Sequence, residues 1–301
     1  MMKKTITSLL LLCLFAFGAD AQLLYRISGK GLAKPSYIIG TFHLLTGSVF
    51  ADKIAGVKDA MAQTEQVYGE LSFDDMLAPS SMQLMQTAMM LPEGQSLKTL
   101  LTPEQYGKLD AFLVRTIGTG MSNPQLEAQF GRMKPEALTT QLTILMYMMR
   151  HPGEFDPADQ LDHYFQKQAK AASKPVGGLE TLDFQAHLLF DSKPMARQIE
   201  DLMCLVDHAD HYLELTETMA KAYHAQDLKA LKAAIDTRLG DRCDATPDEE
   251  AALIYNRNAD WLRLMPAIMQ ARPTLFVVGA GHLPGDRGVL EGLRKMGYKV
   301  E

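Results

Sequence analysis

Thr274-Leu-Phe-Val-Val-Gly-Ala-Gly-His-Leu-Pro-Gly-Asp-Arg-Gly288 is an apolar run that breaks into glycines and delivers one histidine, His282. Residues 274–278, mostly β-branched or aromatic, suit a strand buried on both faces. The glycines after it let the backbone turn sharply and approach another group closely. Asp286 is expected to cap a short helix over 289–296. The same order of residues stands near the other end of the chain, in Pro35-Ser-Tyr-Ile-Ile-Gly-Thr-Phe-His43. A strand, a glycine and a histidine three residues on therefore occur twice. Strands at both ends with helices between them predict an α/β fold: a central mixed β-sheet flanked by helices, with a large helical middle region.

Working outward, residues 23–28 and 36–40 read as strands of a hairpin, joined by the turn-rich Gly29-Lys-Gly-Leu-Ala-Lys-Pro35. Residues 51–63 place Ile54, Val57 and Met61 at helical spacing, and 66–71 follow as a short strand ending near Glu70. From Met76 to Lys170 helical spacing dominates, cut by Leu91-Pro-Glu-Gly94, Thr102-Pro103, residues 118–124, Lys134-Pro135 and His151-Pro-Gly153. Thr102 and Asn123, each followed by proline, mark helix starts. Residues 174–179 read as a strand followed by a helix opening at Glu180, and that order implies a partly parallel sheet. Helices over 220–235 and 247–270 and a last strand over 298–300 complete the reading. The middle is rich in methionine (Met82, Met85, Met89, Met90, Met146, Met148, Met149), which fills cores or, less often, lines an adaptable peptide groove.

Met-Met-Lys-Lys, the apolar run 9–17 and Ala19-Asp-Ala21 are the three parts of a secretory signal peptide, with cleavage expected before Gln22. We therefore expect a signal peptide over 1–21 and a single domain over 22–301, secreted or periplasmic. No later segment reaches the ~18 uninterrupted apolar residues of a membrane span. Net charge is −6, and −7 once Lys3, Lys4 and Asp20 are set aside, which argues against a nucleic-acid partner. Cys204 and Cys243 remain in a chain bound for an oxidising compartment, either as one disulfide or as two buried thiols. A bridge would join the helix after Gln185 to the loop before residue 247 and add on the order of 3 kcal/mol.

A histidine held just past a strand end sits where α/β folds place their sites. One such residue is usually a hydrogen-bonded structural histidine, but two with the same local grammar point to a shared site. Glu70 ends the next strand and adds a carboxylate; two imidazoles and a carboxylate can bind a divalent cation and leave positions open for water. Without a thiolate in that set, manganese or cobalt is preferred and zinc remains possible. Glu180 is either a site carboxylate or a helix-start residue that suits the dipole. Asp207-His-Ala-Asp-His211 spaces its groups for one helix face, as a metal cluster would, but reads as a solvated face. There is no Gly-x-Ser-x-Gly, His-Glu-x-x-His or P-loop pattern.

The segments Tyr37-Ile-Ile-Gly-Thr-Phe-His43, Gly178-Leu-Glu-Thr181 with Gln185, Asn256-Arg-Asn-Ala-Asp-Trp261 and Val278-Gly-Ala-Gly-His-Leu-Pro-Gly285 resemble the TraB/GumN family, which is related to the Tiki metalloproteases and to the erythromycin esterase/ChaN-like superfamily. The resemblance runs from about Tyr25 to Val300. It implies divalent-metal-dependent hydrolysis of a peptide or protein substrate, with His43, Glu70 and His282 as metal ligands and catalytic residues. Arg257 and Asn258 fall on the family's Arg-Asn pair; the plain alternative is a salt-bridged helix face, but Arg257 is expected to stabilise an oxyanion and Asn258 to ligate or orient. The alternative is a non-catalytic extracytoplasmic protein that captures a peptide, a metal or a haem-like ligand in the same cleft.

Overall fold

The computed structural model describes residues 22–301; the signal-peptide reading over 1–21 lies outside the described residues. Six strands form one sheet: β1 (Leu24–Ser28), β2 (Ser36–Thr41), β3 (Gln66–Gly69), β4 (Val176–Gly178), β5 (Thr274–Gly279) and β6 (Lys299–Val300). Their order across the sheet is β4-β3-β5-β2-β1-β6. β4, β3, β5 and β2 run parallel, whereas β1 is antiparallel to both β2 and β6. The hairpin forms because Gly29 and Gly31 accept positive φ angles, 87° and 78°, on either side of Lys30 at 52°. The fold is thus α/β with a mixed sheet and a large helical part.

β2 and β5, the two strands that lead into histidines, are neighbours at the middle of the sheet, with Gly40 opposite Val278 and Thr41 opposite Gly279. Every residue of β2 is buried, as is β5 up to Val278, which is why neither shows the alternation of a half-exposed strand. Phe165 and Ala169 of helix Leu161–Ala171, Trp261, Met265 and Met269 of helix Asn256–Ala271, and Leu290 and Leu293 of helix Val289–Lys295 enter the same apolar core. Truncating a fully buried member such as Phe276 to alanine costs about 3–5 kcal/mol.

The helical middle has a second apolar cluster, built on Leu97, Leu109, Phe112, Leu138, Leu142 and Leu202. Met146 is buried there and Met85, Met89 and Met90 pack against it, so these methionines fill a core, while Met82 and Met149 stay exposed. Thr102 and Asn123 accept from the backbone N–H groups of Gln105 and Gln125, starting helices Pro103–Ile117 and Pro124–Phe130. Cys204 in helix Met195–Asp207 is bridged to Cys243, with Cα atoms 5.6 Å apart. Among the described residues no helix is long and apolar enough to cross a membrane.

Three local expectations need correction. The helix read over 51–63 is a short turn, Ala51–Lys53, and a helix, Val57–Gln63, separated by Gly56 at φ 78°. The helix read over 220–235 is two: Ala209–His224 ends, Gln226 turns with φ 57°, and Asp227 caps Leu228–Ile235 by accepting from the N–H of Ala230 at 2.8 Å. Asp286 is not the cap of the last helix; Gly288 holds that position.

Candidate active site

The four parallel strands all end at one edge of the sheet, and each is followed by a residue that faces the same place. β2 leads to His43, β5 to His282, β3 to Glu70 and β4 to Glu180. The register sets this up, because Gly69 lies opposite both Gly178 and Val277 while Thr41 lies opposite Gly279. This is the crevice beyond the carboxyl ends of parallel strands where α/β folds bind ligands.

Gly279 leaves a gap at the centre. A Cβ on it would sit 3.2 Å from Glu70 Oε1, 3.6 Å from His282 Cδ2 and 3.9 Å from His43 Nε2, so three side chains distant in sequence lie within 4 Å of one point. Glu70 Oε1 accepts from the Gly279 N–H at 2.7 Å, and His282 Nε2 lies 3.9 Å from the same oxygen. The two histidines present the same nitrogen. His282 Nδ1 donates to Asn258 Oδ1 at 2.7 Å; the Asn258 amide can only be in that orientation because its Nδ2 donates to the carbonyls of His282 and Arg287. His43 Nδ1 lies 2.8 Å from Asp162 Oδ2, and Asp162 Oδ1 accepts from the Thr41 hydroxyl. In both rings Nδ1 is tied from behind and Nε2 is turned to the centre.

Arg257 closes the other side. All five guanidinium N–H groups have acceptors: Nε donates to Glu180 Oε1 at 2.8 Å, one terminal nitrogen to the Leu253 carbonyl and to His282 Nε2 at 3.0 and 3.1 Å, and the other to Glu70 and Glu180 at 2.6 and 3.0 Å. Its side chain lies 5.0 Å over the Trp261 ring, and Trp261 Nε1 donates to Glu180 Oε1 at 2.8 Å. Gln185 bridges the two carboxylates, donating to Glu70 at 3.2 Å and to Glu180 at 3.0 Å. A π-helical turn, Ala251–Tyr255, precedes helix Asn256–Ala271, on which Arg257, Asn258 and Trp261 share the buried face.

These contacts fix the charges. Burial pushes His282 down to about 4, with Arg257 adding to the effect and Glu70 opposing it, so the ring is neutral at ordinary pH. The Asp162 carboxylate pushes His43 up to about 9 against its burial, an effect that solvent moderates because 63% of the His43 side chain is exposed. Burial would raise Glu70, but attraction to His282 once that ring is protonated, to Arg257 and to His43, together with the Gly279 N–H, outweighs it and holds the carboxyl below its usual range. Glu70, Glu180 and Asp162 carry three negative charges against one on Arg257. A proton on His43 offsets one of the remaining two, and a divalent cation would offset both.

The donor set fits a divalent cation on that count and on shape: Glu70 Oε1, His43 Nε2 and the edge of the His282 ring lie within 4 Å of the point a Gly279 Cβ would take, and His282 Nε2 is 3.9 Å from the same carboxylate oxygen. A cavity of about 110 Å³ opens beside it, lined by His43, Glu70, Met76, Asp162, His163 and Gln185. A larger cleft of about 660 Å³, bordered by Arg115, Arg150 and His208, contains none of these donors, so size alone does not locate the site. The Asp207–His211 stretch does not form one helix face, because His208 divides helix Met195–Asp207 from helix Ala209–His224. Asp207 instead pairs with Lys108 at 3.1 Å. His208 comes near Asp241 and Cys243, but the Cys243 sulfur is held in the disulfide and offers no thiolate.

A family model described as TraB/PrgY/gumN matches residues 23–301. The chain belongs to the TraB/PrgY/gumN family. It is similar to Metalloprotease TIKI1 of Danio rerio, 26% identical over 89% of this chain and 60% of that protein. Metalloprotease TIKI1 of Homo sapiens is 25% identical over 89% of this chain and 59% of its own length, and Metalloprotease TIKI2 of Xenopus tropicalis 25% over 89% and 57%. The chain therefore spans about 60% of the length of these relatives.

In this TraB/PrgY/gumN protein the structure brings together His43, Glu70, Arg257 and His282, with Asn258 behind His282. Glu180, a candidate site carboxylate or helix-start residue, receives both prongs of the Arg257 fork and is almost fully buried. Asp162 was not found by sequence reasoning. It stands in the first turn of an amphipathic helix, a position that an acidic residue occupies for dipole reasons alone, and no spacing ties it to His43. Gln185 and Trp261 were visible only as parts of the family segments.

Proposed function

We propose that this protein is a divalent-metal-dependent hydrolase acting outside the cytoplasm on a peptide or protein substrate. The observation that carries the reading is the convergence of His43 Nε2, Glu70 Oε1 and the His282 ring on the gap at Gly279, with His282 Nε2 3.9 Å from Glu70 Oε1. The names of the relatives, each called a metalloprotease, support the hydrolase class. The Cys204–Cys243 bridge supports an oxidising compartment.

In this reading His43, His282 and Glu70 hold the cation, with manganese or cobalt preferred over zinc because the donors are nitrogen and oxygen only. A cation bound there polarises a carbonyl oxygen and lowers the pKa of a coordinated water. His282, neutral at working pH, needs no deprotonation to serve as a ligand, and Asn258 holds its ring in the required tautomer. We assign Asn258 this orienting role in preference to ligation, because its amide oxygen is already bonded to the ring. Arg257 stays charged, and its N–H on His282 Nε2 is the one guanidinium donor released when that lone pair is taken by another partner. The freed N–H is placed to stabilise negative charge developing on a substrate oxygen. Glu70, kept ionised, accepts rather than donates protons.

The test is to strip the protein with a chelator, restore single metals and follow cleavage of a peptide library by wild type, His43→Ala and His282→Ala. Cleavage that returns with manganese or cobalt and is lost in both variants is the expected result. Unchanged turnover in both variants would reject the mechanism, and restoration by zinc alone would reject the metal preference.

A further inference from the structure

We infer that Asp162, anchored by Thr41, is the positioning residue of the His43 arm and selects the ring nitrogen that His43 presents to the centre. The inference rests on the reading of that centre as a cation site.

His43 lies beyond the end of β2 on a largely exposed side chain, unlike His282, which is 4% exposed and packed against Trp261 with ring centroids 4.4 Å apart. Packing therefore holds the His282 ring, while the His43 ring depends on its hydrogen bond to Asp162. Asp162 is itself fixed: it stands in the first turn of helix Leu161–Ala171, and its other oxygen accepts from the hydroxyl of Thr41, a residue 2% exposed. Thr41 and His43 are two residues apart at the end of one strand, so the segment that carries the histidine also grips the carboxylate that orients it.

An ionised carboxylate only accepts hydrogen bonds. Facing Asp162, His43 Nδ1 must carry a hydrogen, which leaves the Nε2 lone pair of the neutral ring directed at the gap, 3.9 Å from the point a Gly279 Cβ would take. Thr41 and Asp162 already tie helix to strand. The bond to His43 adds to that tie, and at the site it also chooses a tautomer, which the tie alone does not require. Asn258 does the same for His282 with a neutral oxygen, so the two arms reach the same ring orientation from unrelated partners.

The test compares wild type, Asp162→Asn, Asp162→Ala and Thr41→Val, all chelator-stripped. One measurement is the long-range proton–nitrogen correlation spectrum of the His43 ring at a pH well above its pKa of about 9, where the ring is neutral, assigned with His43→Gln. The other is Mn²⁺ binding by calorimetry. In wild type His43 is expected as a single Nδ1–H tautomer. In Asp162→Asn, with Thr41 holding the amide oxygen, the NH₂ faces Nδ1 and favours the opposite tautomer, and Mn²⁺ affinity falls roughly 10–100-fold. Thr41→Val gives a smaller loss in the same direction, and the His282 resonances stay in place throughout. An unchanged His43 tautomer together with Mn²⁺ affinity within about twofold of wild type in Asp162→Asn overturns the proposal. If wild type binds no Mn²⁺, Co²⁺ or Zn²⁺, the cation reading fails, and the ring spectrum still decides whether Asp162 sets the tautomer. Should both Asp162 variants fail to fold, Thr41→Val decides by the same two readouts.

Discussion

Replacing Arg257 by alanine should strengthen cation binding while weakening both the metal-free fold and turnover, three effects that separate its roles. The guanidinium bonds His282 Nε2 at 3.1 Å and Glu70 at 2.6 Å, two of the three donors assigned to the metal. A single and a double positive charge about 5 Å apart repel by about 7 kcal/mol at an effective dielectric constant of about 20, an upper bound. Water entering the space left by the side chain removes most of that, and a residue of about 1.4–2.8 kcal/mol corresponds to roughly 10–100-fold tighter binding. In the metal-free state the same change strands Glu180, whose side chain is 5% exposed, and Glu70 at 13%, at a cost of about 3–5 kcal/mol. The cation should then restore more melting temperature to the variant than to wild type. Loss of the freed N–H donor should lower kcat by about 10²–10³. Calorimetric titration of Mn²⁺ and Co²⁺, scanning calorimetry with and without metal, and library cleavage read the three effects. Equal or weaker cation binding by a natively folded Arg257→Ala would refute the reasoning, because it would mean that Arg257 helps to build the cation site and does not oppose it.

Gly279→Ala should keep the fold, since the strand geometry accepts alanine, but put a methyl group into the gap 3.2 Å from Glu70 Oε1; calorimetry should show at least about tenfold weaker Mn²⁺ binding. Removing the disulfide by Cys204→Ala with Cys243→Ala opens a loop with a sequence separation of 39 and should lower unfolding free energy in denaturant by about 4 kcal/mol, with the cation site unchanged. In the metal-free protein the His43–Asp162 pair raises the folded-state pKa of His43 from 6.5 to about 9. Its stabilisation is therefore complete below about 6.5 and is lost as pH rises through about 9, by an amount reduced by the exposure of His43. Urea unfolding of wild type and His43→Gln across that window should show a stability difference that narrows with rising pH; a gap that widens would contradict the assignment.

Much of the fold was legible because it depends on strongly patterned segments. The apolar runs at 36–41 and 274–279 could hardly be anything but strands buried on both faces, and the sheet pairs them directly. The glycines that end them mark the close approach at Gly279, and the two histidines follow from that geometry. Less legible were features that depend on single side chains. Gln226 turns the backbone without glycine or proline, so the break between helices Ala209–His224 and Leu228–Ile235 is marked in the sequence only by the Asp227 cap. Asp207 to His211 has metal-like spacing, yet a helix boundary at His208 disperses it. Asp162 and Glu180 look like acidic residues that open helices, and only the tertiary fold sets one behind His43 and the other in the grip of Arg257.

Whether His43, Glu70 and His282 share one cation can be read from anomalous diffraction by crystals grown with Mn²⁺ or Co²⁺. One strong peak is expected in the gap beside Gly279, within coordination distance of the Nε2 atoms of His43 and His282 and of a Glu70 oxygen, with Asn258 still bonded to His282 Nδ1. A crystal soaked in either metal with no peak there, or with Arg257 still bonded to His282 Nε2 and the cation bound elsewhere, would contradict it.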